Sequence, residues 1–180
     1  VTFDTATGAF TGPASSGWNF TATQVSVGYL HACAVTSTNG AKCWGRNNHG
    51  QLGNGTTTSS NIPVDVHTAS DDPSPLVNIE SISASKEDHT CAVTTTGGIK
   101  CWGKNWYGAL GNNTTTGSNT PVDVHTASGN PSPLTGATQV SAGGGHTCAV
   151  VDGGAKCWGR GFRGLLGNNS FDNSLTPTDV

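Results

Sequence analysis

The sequence predicts an all-β protein built from three copies of one four-stranded unit, and three observations carry that prediction. The stretch His31–Gly53, H-A-C-A-V-T-S-T-N-G-A-K-C-W-G-R-N-N-H-G-Q-L-G, returns in closely related form from His89 and from His146, so the first cysteines, Cys33, Cys91 and Cys148, stand 58 and then 57 residues apart. A fixed period of this size marks a repeat architecture before any local reading does. Each copy holds four short runs of strand-forming residues divided by Gly-, Asn- and Pro-rich turns, and no run has the 3.6-residue apolar spacing of a helix. Four short strands per repeat is the make-up of a β-propeller blade.

Residues 1–23 stand outside the repeat. Phe3, Phe10, Trp18 and Phe20 alternate loosely with Thr, and Gly8 and Gly12-Pro13 punctuate the segment. That is strand–turn–strand chemistry. The wording F-D-T-A-T-G-A-F-T-G-P resembles the closing hairpin of bacterial immunoglobulin-like surface modules, and also a strand pair of complement-type globular heads. The segment is therefore expected to be an N-terminal β arm or the end of a preceding immunoglobulin-like module. The repeats follow over 24–180, divided as 24–78, 79–136 and 137–180.

Each repeat opens on an inner strand, Val25–Gly28, Ile82–Ser85 or Val140–Gly143. Next comes a cysteine-flanked hairpin. In the third copy eight residues separate Cys148 from Cys157, with Asp152-Gly153 at the centre. A two-residue turn there sets Val151 against Gly154, Val150 against Ala155, and Cys148 against Cys157. The first two copies have nine residues between cysteines and a turn longer by one, around Asn39-Gly40 and Gly97-Gly98. A bulged or three-residue loop keeps those cysteines opposed as well. Opposed positions at a non-hydrogen-bonded pair are close enough for a bridge. The expected disulfides are Cys33–Cys43, Cys91–Cys101 and Cys148–Cys157. The rival reading is a metal site, with His-x-Cys and the later Cys giving three ligands per copy. No copy has the close C-x₂₋₄-C pair usual for zinc, and the hairpin register favours bridges.

After Cys-Trp-Gly each copy has a polar loop, then Gly-x-Leu-Gly at Gly50–Gly53, Gly108–Gly111 and Gly164–Gly167. A Thr/Ser/Asn-rich span leads to the fourth strand, Pro63–Val66, Pro121–Val124 or Pro177–Val180. Between copies lie two Pro-rich insertions, His67–Leu76 and His125–Leu134.

The ordered set Gly-x-x-His, Cys-Trp-Gly, Gly-Gln-Leu-Gly and Pro-Val-x-Val resembles the regulator of chromosome condensation repeat, in three copies over 24–180. The Cys-Ala-Val…Lys-Cys-Trp-Gly wording is similar to the secreted bacterial branch. The resemblance implies four-stranded blades in a seven-bladed propeller. It also implies interaction or regulatory roles: the family includes a guanine-nucleotide exchange factor and a β-lactamase inhibitory protein. Two departures matter. A closed ring needs about twice as many blades as three, and the period is lengthened by the Pro-rich insertions. Three blades leave two uncovered faces, so a partial propeller, an oligomer-completed propeller or an open array is expected. The neighbours are other copies of the chain or the remainder of a longer chain, and head-to-tail contacts run on as rings or filaments.

Composition narrows function further. Charged residues are 11% of the chain and the net charge is −3, which gives no electrostatic case for nucleic acid. No segment is long and apolar enough for membrane insertion. Paired cysteines imply an oxidising, extracellular or cell-surface setting. The sequence has 0 methionine and opens without a charged-then-apolar leader, as expected of a mature or excised piece. His31, His89 and His146 recur once per copy, the mark of structural hydrogen-bonding groups, and no nucleophile elbow, phosphate loop or paired-His metal motif is present. No catalytic residue, cofactor site or metal site is assigned, and the chain reads as a non-enzyme.

Trp44, Trp102 and Trp158 follow the second cysteine in each copy and are expected to stack between blades or against the disulfide. The residues after Trp-Gly vary within a constant frame: Asn47, Asn48 and His49; then Trp106 and Tyr107; then Phe162 and Arg163. Loops on a rigid scaffold collect binding specificity, so these are the candidate contacts for a protein or glycan ligand. Asn19, Asn54, Asn112, Asn113 and Asn168 each open an N-x-[ST] sequon and are candidate glycosylation positions. Two functions follow: an extracellular structural or interaction module, or a soluble propeller that inhibits or regulates one partner protein.

Overall fold

The computed structural model describes residues 2–4, 9–11 and 20–180. At the N-terminus β1 (Thr2–Asp4) pairs antiparallel with β2 (Ala9–Thr11), Phe3 opposite Phe10. The rest is three meandering antiparallel sheets. The first holds β3 (Ala22–Val27), β4 (His31–Thr36), β5 (Ala41–Gly45) and β6 (Ser60–Asp65), neighbours in that order. The second holds β7 (Ile79–Ala84), β8 (His89–Thr94), β9 (Ile99–Gly103) and β10 (Ser118–Asp123). The Pro-rich insertion that follows folds into a two-stranded ribbon, β11 (His125–Ala127) with β12 (Asn130–Pro133). The third sheet holds β13 (Ala137–Ala142), β14 (His146–Val151), β15 (Gly154–Gly159) and β16 (Ser174–Asp179). Among the described residues the helical structure is one 3₁₀ turn, Phe162–Gly164.

The cysteine hairpins have the register their spacing implies. Cys33 faces Cys43, Cys91 faces Cys101, Cys148 faces Cys157, and all three pairs are disulfide-bonded with Cα atoms 4.0–4.1 Å apart. Cysteine supplies no metal ligand here, because every thiol is consumed in a bridge. In the third copy Val151 pairs with Gly154 and Val150 with Ala155 around Asp152-Gly153. The fourth strands carry Pro63, Pro121 and Pro177, which donate no ladder bond. They lie at the outer edge of each sheet, and the register shifts where the proline falls.

The core lies between blades. One cluster joins Val35, Leu52 and Val66 of the first to Ile79, Ile82 and Trp102 of the second. Its counterpart joins Val93, Leu110 and Val124 to Val140, Ala149 and Trp158 of the third. At full burial each such side chain contributes about 1.5–3 kcal/mol. A single blade therefore owns no core, and the first blade shows what that costs. Val25 and Val27 on the first sheet are 63% and 76% exposed, whereas Ile82 at the position matching Val25 is 2% exposed.

Candidate functional site

The joints between blades repeat residue for residue. His31 Nε2 lies 3.0 Å from Thr90 Oγ1 of the next blade, and His89 Nε2 lies 3.0 Å from Thr147 Oγ1. Thr90 donates its hydroxyl proton to the Gln51 carbonyl at 3.0 Å, and Thr147 donates to the Ala109 carbonyl at 2.9 Å. Each threonine oxygen is then free to accept, so each histidine is the neutral tautomer protonated on Nε2. The Nδ1 atoms of His31, His89 and His146 are buried with no donor beside them. Burial pushes the His31 ring down to about 4 and the His89 ring to about 3. Trp102 and Trp158 complete the joint, their indoles donating to the same carbonyls of Gln51 and Ala109 at 2.9 Å. Both rings are fully buried, as their place in the repeat suggests, while Trp44 on the uncovered first blade is half-exposed. Along the inner strands Gln24 clasps the backbone of Ile82, accepting at 2.8 Å and donating at 3.3 Å, and Ser26 and Ser83 accept from Ala84 and Ala142.

This scaffold fixes the loops at one rim. The amide nitrogens of Arg46, Lys104 and Arg160 donate to the carbonyls of Leu30, Asp88 and Gly145 at 2.8–2.9 Å. Every post-Trp-Gly loop is thus tied to the turn between the first two strands of its own blade. Asn47 does not present itself to a ligand: it is fully buried, with Nδ2 donating to the Thr56 and Thr58 carbonyls and Oδ1 accepting from Leu52. Asn105 makes the same set with Thr114, Thr116 and Leu110. These asparagines shape the loop, and the side chains after them face outward. Asn48 is exposed and His49 half-exposed, Trp106 is 62% exposed, Phe162 is 51% exposed, and Arg163 is open to solvent.

His49, Trp106, Phe162 and Arg163 join Lys104, Glu87, Arg160 and Tyr107 in a continuous line across all three blades. His49 meets Trp106 edge-on at 5.8 Å, and Lys104 sits over the Trp106 ring at 3.8 Å. Glu87 lies between Lys104 and Arg160, at 4.0 Å and 3.9 Å. Arg160 stacks over Tyr107 at 5.0 Å and Phe162 at 5.1 Å, and Arg163 also lies over Phe162 at 5.2 Å. At the first-blade end Asp88 receives Gln51 Nε2 at 2.8 Å and Arg46 at 3.6 Å. Arg46, Lys104 and Arg160 lie outside the variable set that the sequence singles out. Their signal is plain in retrospect, since a cation follows Cys-Trp-Gly in every copy.

The sequons differ in availability. The Asn54 and Asn112 oxygens are each taken up by a threonine hydroxyl two residues on, at 2.8 Å, inside the loop clasp. Asn168 is half-buried and accepts from the Ser170 amide, Asn113 is exposed, and Asn19 lies outside the described residues. On the opposite strands Lys42, Lys100 and Lys156 pair with Asp65, Asp123 and Asp179 at 2.5–2.7 Å. Among the described residues no group of His, Cys, Asp and Glu has the arrangement of a metal site, and no helix is long and apolar enough to cross a membrane.

Known proteins share this design. The chain is 32% identical over 155 residues to the ultraviolet-B receptor UVR8 of Arabidopsis thaliana, covering 86% of the chain and 33% of that protein. It is 32% identical over 177 residues to the secretion-regulating guanine nucleotide exchange factor of Mus musculus, covering 90% of the chain and 36% of that protein. It therefore spans about a third of the length of these curated relatives. Among solved structures, yeast RCC1 bound to Kap60 superposes with a TM-score of 0.64 at 21% identity, over 88% of this chain and 37% of that one, which shows the propeller fold. The model of the regulator of chromosome condensation (RCC1) repeat matches residues 43–93 and 97–150, a second model of the same description matches 22–51 and 79–109, and the chain belongs to the RCC1 repeat family.

Proposed function

We propose that this chain is a non-enzymatic segment of an extracellular β-propeller repeat protein, organised as units 24–78, 79–136 and 137–180, whose loop rim holds a protein partner. One observation carries the reading. The frame beneath the rim is the same in successive blades, with backbone ties of 2.8–2.9 Å at Arg46, Lys104 and Arg160, while the side chains it presents differ in every copy. Constancy below and variation above is how repeat scaffolds build recognition surfaces. Trp106, Tyr107, Phe162 and Arg163 are of the types that dominate protein interfaces. The asparagine clasp removes Asn47 from the contact set and leaves Asn48 and His49 in it. The three disulfides favour an oxidising setting outside the cell or on its surface.

The uncovered faces of the outer blades call for neighbours. On the third blade Gln139, Ser141 and His146 occupy the positions that Gln24, Ser26 and His31 use to grip the next blade. The first blade carries Ala32 where the others carry Thr90 and Thr147, so a second copy stacked head to tail offers His146 no hydroxyl. A further blade of a longer chain fits that face better than a filament of copies. A role as inhibitor or regulator of one partner uses the same rim, and the regulatory names of the relatives favour it.

Photo-crosslinking tests the reading. Benzoylphenylalanine at position 106 or 162 is expected to capture a protein from the extracellular fraction of the source organism, and the same group at position 71, on the first Pro-rich insertion, is not. Equal capture from all three positions, or none from the rim, refutes it.

A further inference from the structure

The charges of this chain are sorted by location. Of its 8 Lys and Arg residues, Lys42, Lys100 and Lys156 are spent within the sheets, each on the aspartate one strand over. The other five, Arg46, Lys86, Lys104, Arg160 and Arg163, all lie in the two sets of loops that form the rim. Those loops hold three carboxylates, Glu87, Asp88 and Asp172. Asp88 is buried, with Oδ1 accepting from Gln51 at 2.8 Å and Oδ2 lying 3.6 Å from Arg46 and 4.0 Å from His49. Glu87 is shared between Lys104 and Arg160 at 4.0 Å and 3.9 Å, which leaves both cations hydrogen-bonding capacity. Asp172, in the same loop as Arg160 and Arg163, accepts from the Ser170 hydroxyl at 3.1 Å. Among the described residues neither Arg163 nor Lys86 has a carboxylate within salt-bridge distance. A chain of net charge −3 thus gathers an excess of positive charge on one rim, interleaved with exposed Trp106 and Phe162.

We infer that the rim takes an acidic protein segment whose carboxylates alternate with apolar side chains, an inference that rests on the loop-rim reading above. Carboxylates meet the row Arg46, Lys104 and Arg160, which the backbone ties hold one per blade, and arginine offers a fork suited to them. Apolar side chains cover Trp106 and Phe162, whose rings are already polarised by the cations over them. The fixed negative charge of Glu87, in the middle of the row, opposes a uniformly charged polyanion and tolerates discrete carboxylates placed on either side. That favours a peptide over nucleic acid or a sulfated glycan.

The test is selection of random dodecapeptides displayed on phage against the intact chain. The recovered peptides are then measured against K104E, R160E and W106A variants whose thermal unfolding matches the parent. Recovered peptides are expected to be enriched in Asp and Glu beside apolar residues. Their affinity is expected to fall about tenfold or more in K104E and R160E, to fall in W106A, and to weaken as salt is raised from about 50 to 500 mM. Neutral peptides that lose binding in W106A and keep it in both charge reversals overturn the acidic-partner inference and leave the loop-rim reading standing. Peptides indifferent to all three variants overturn both. Heparin or single-stranded DNA outcompeting the acidic peptides at equal charge overturns the inference in favour of a polyanion.

Discussion

His31 donates through Nε2 to Thr90 Oγ1 at 3.0 Å across the first blade junction, and His89 makes the same contact with Thr147 across the second. Neither ring has room for a second proton, because each Nδ1 is buried without an acceptor to receive it.

Acid should therefore open these joints. The ordinary imidazole value is 6.5, whereas burial lowers His31 to about 4 and His89 to about 3. Between those limits the unfolded chain binds protons that the folded chain refuses, so stability is complete above pH 6.5 and falls as pH drops below it. The slope approaches about 1.4 kcal/mol per pH unit for each ring. Urea midpoints from pH 8 to pH 4 should show the decline, and His89→Asn, though less stable at neutral pH, should show a flatter one.

Thr147→Val keeps the shape of the side chain and removes the oxygen. The His89 Nε2–H then has no acceptor in a fully buried site. A loss of about 1–3 kcal/mol is expected, read as a drop in the urea midpoint with unchanged slope.

Gly111 holds a left-handed φ of +69°, and a Cβ there would stand 2.7 Å from Trp158 Nε1 and 2.9 Å from Val124 Cγ1. Gly129 has a similar φ of +76° and nothing within 4 Å. Gly129→Ala should cost about 1 kcal/mol of backbone strain, and Gly111→Ala about 1–3 kcal/mol more for displacing the indole. Equal losses in the two variants would show that the indole tolerates displacement.

The three bridges should differ in how fast a reductant reaches them. Cys33 lies 4.0 Å from Thr90 and Cys91 3.8 Å from Thr147, each sulfur covered by the following blade. Cys148 is only partly buried. Timed alkylation with mass spectrometry should find Cys148–Cys157 reduced first. Full reduction should cost about 3 kcal/mol per bridge in the chain-entropy model, for loops of about 11 residues.

Much of this design is legible in the residues themselves. The cysteine register follows from counting residues around Asp152-Gly153, and the burial of Trp102 and Trp158 follows from their recurrence. The joints are less legible. Nothing local to Gln24 announces that its amide will clasp Ile82, because the partner lies 58 positions away on a strand brought near only by stacking. Asn47 misleads for a related reason: a polar residue in a polar loop looks exposed until the loop closes over it. The rim line escapes a residue-by-residue reading because Arg160 finds Tyr107, and His49 finds Trp106, only across blade boundaries.

The regular offset of the joints has a mechanical consequence. Contacts that always link one repeat to the next are loaded in series when the chain is pulled by its ends, so the outermost blade should peel away before its neighbour feels the strain. Each sulfur bridge spans 9 or 10 positions and withholds them from extension. Every peeling event should then release a length roughly 30 Å shorter than the same residues would give if unbridged. A force trace with evenly sized teeth, growing by that amount under reductant, is what such a spring would record.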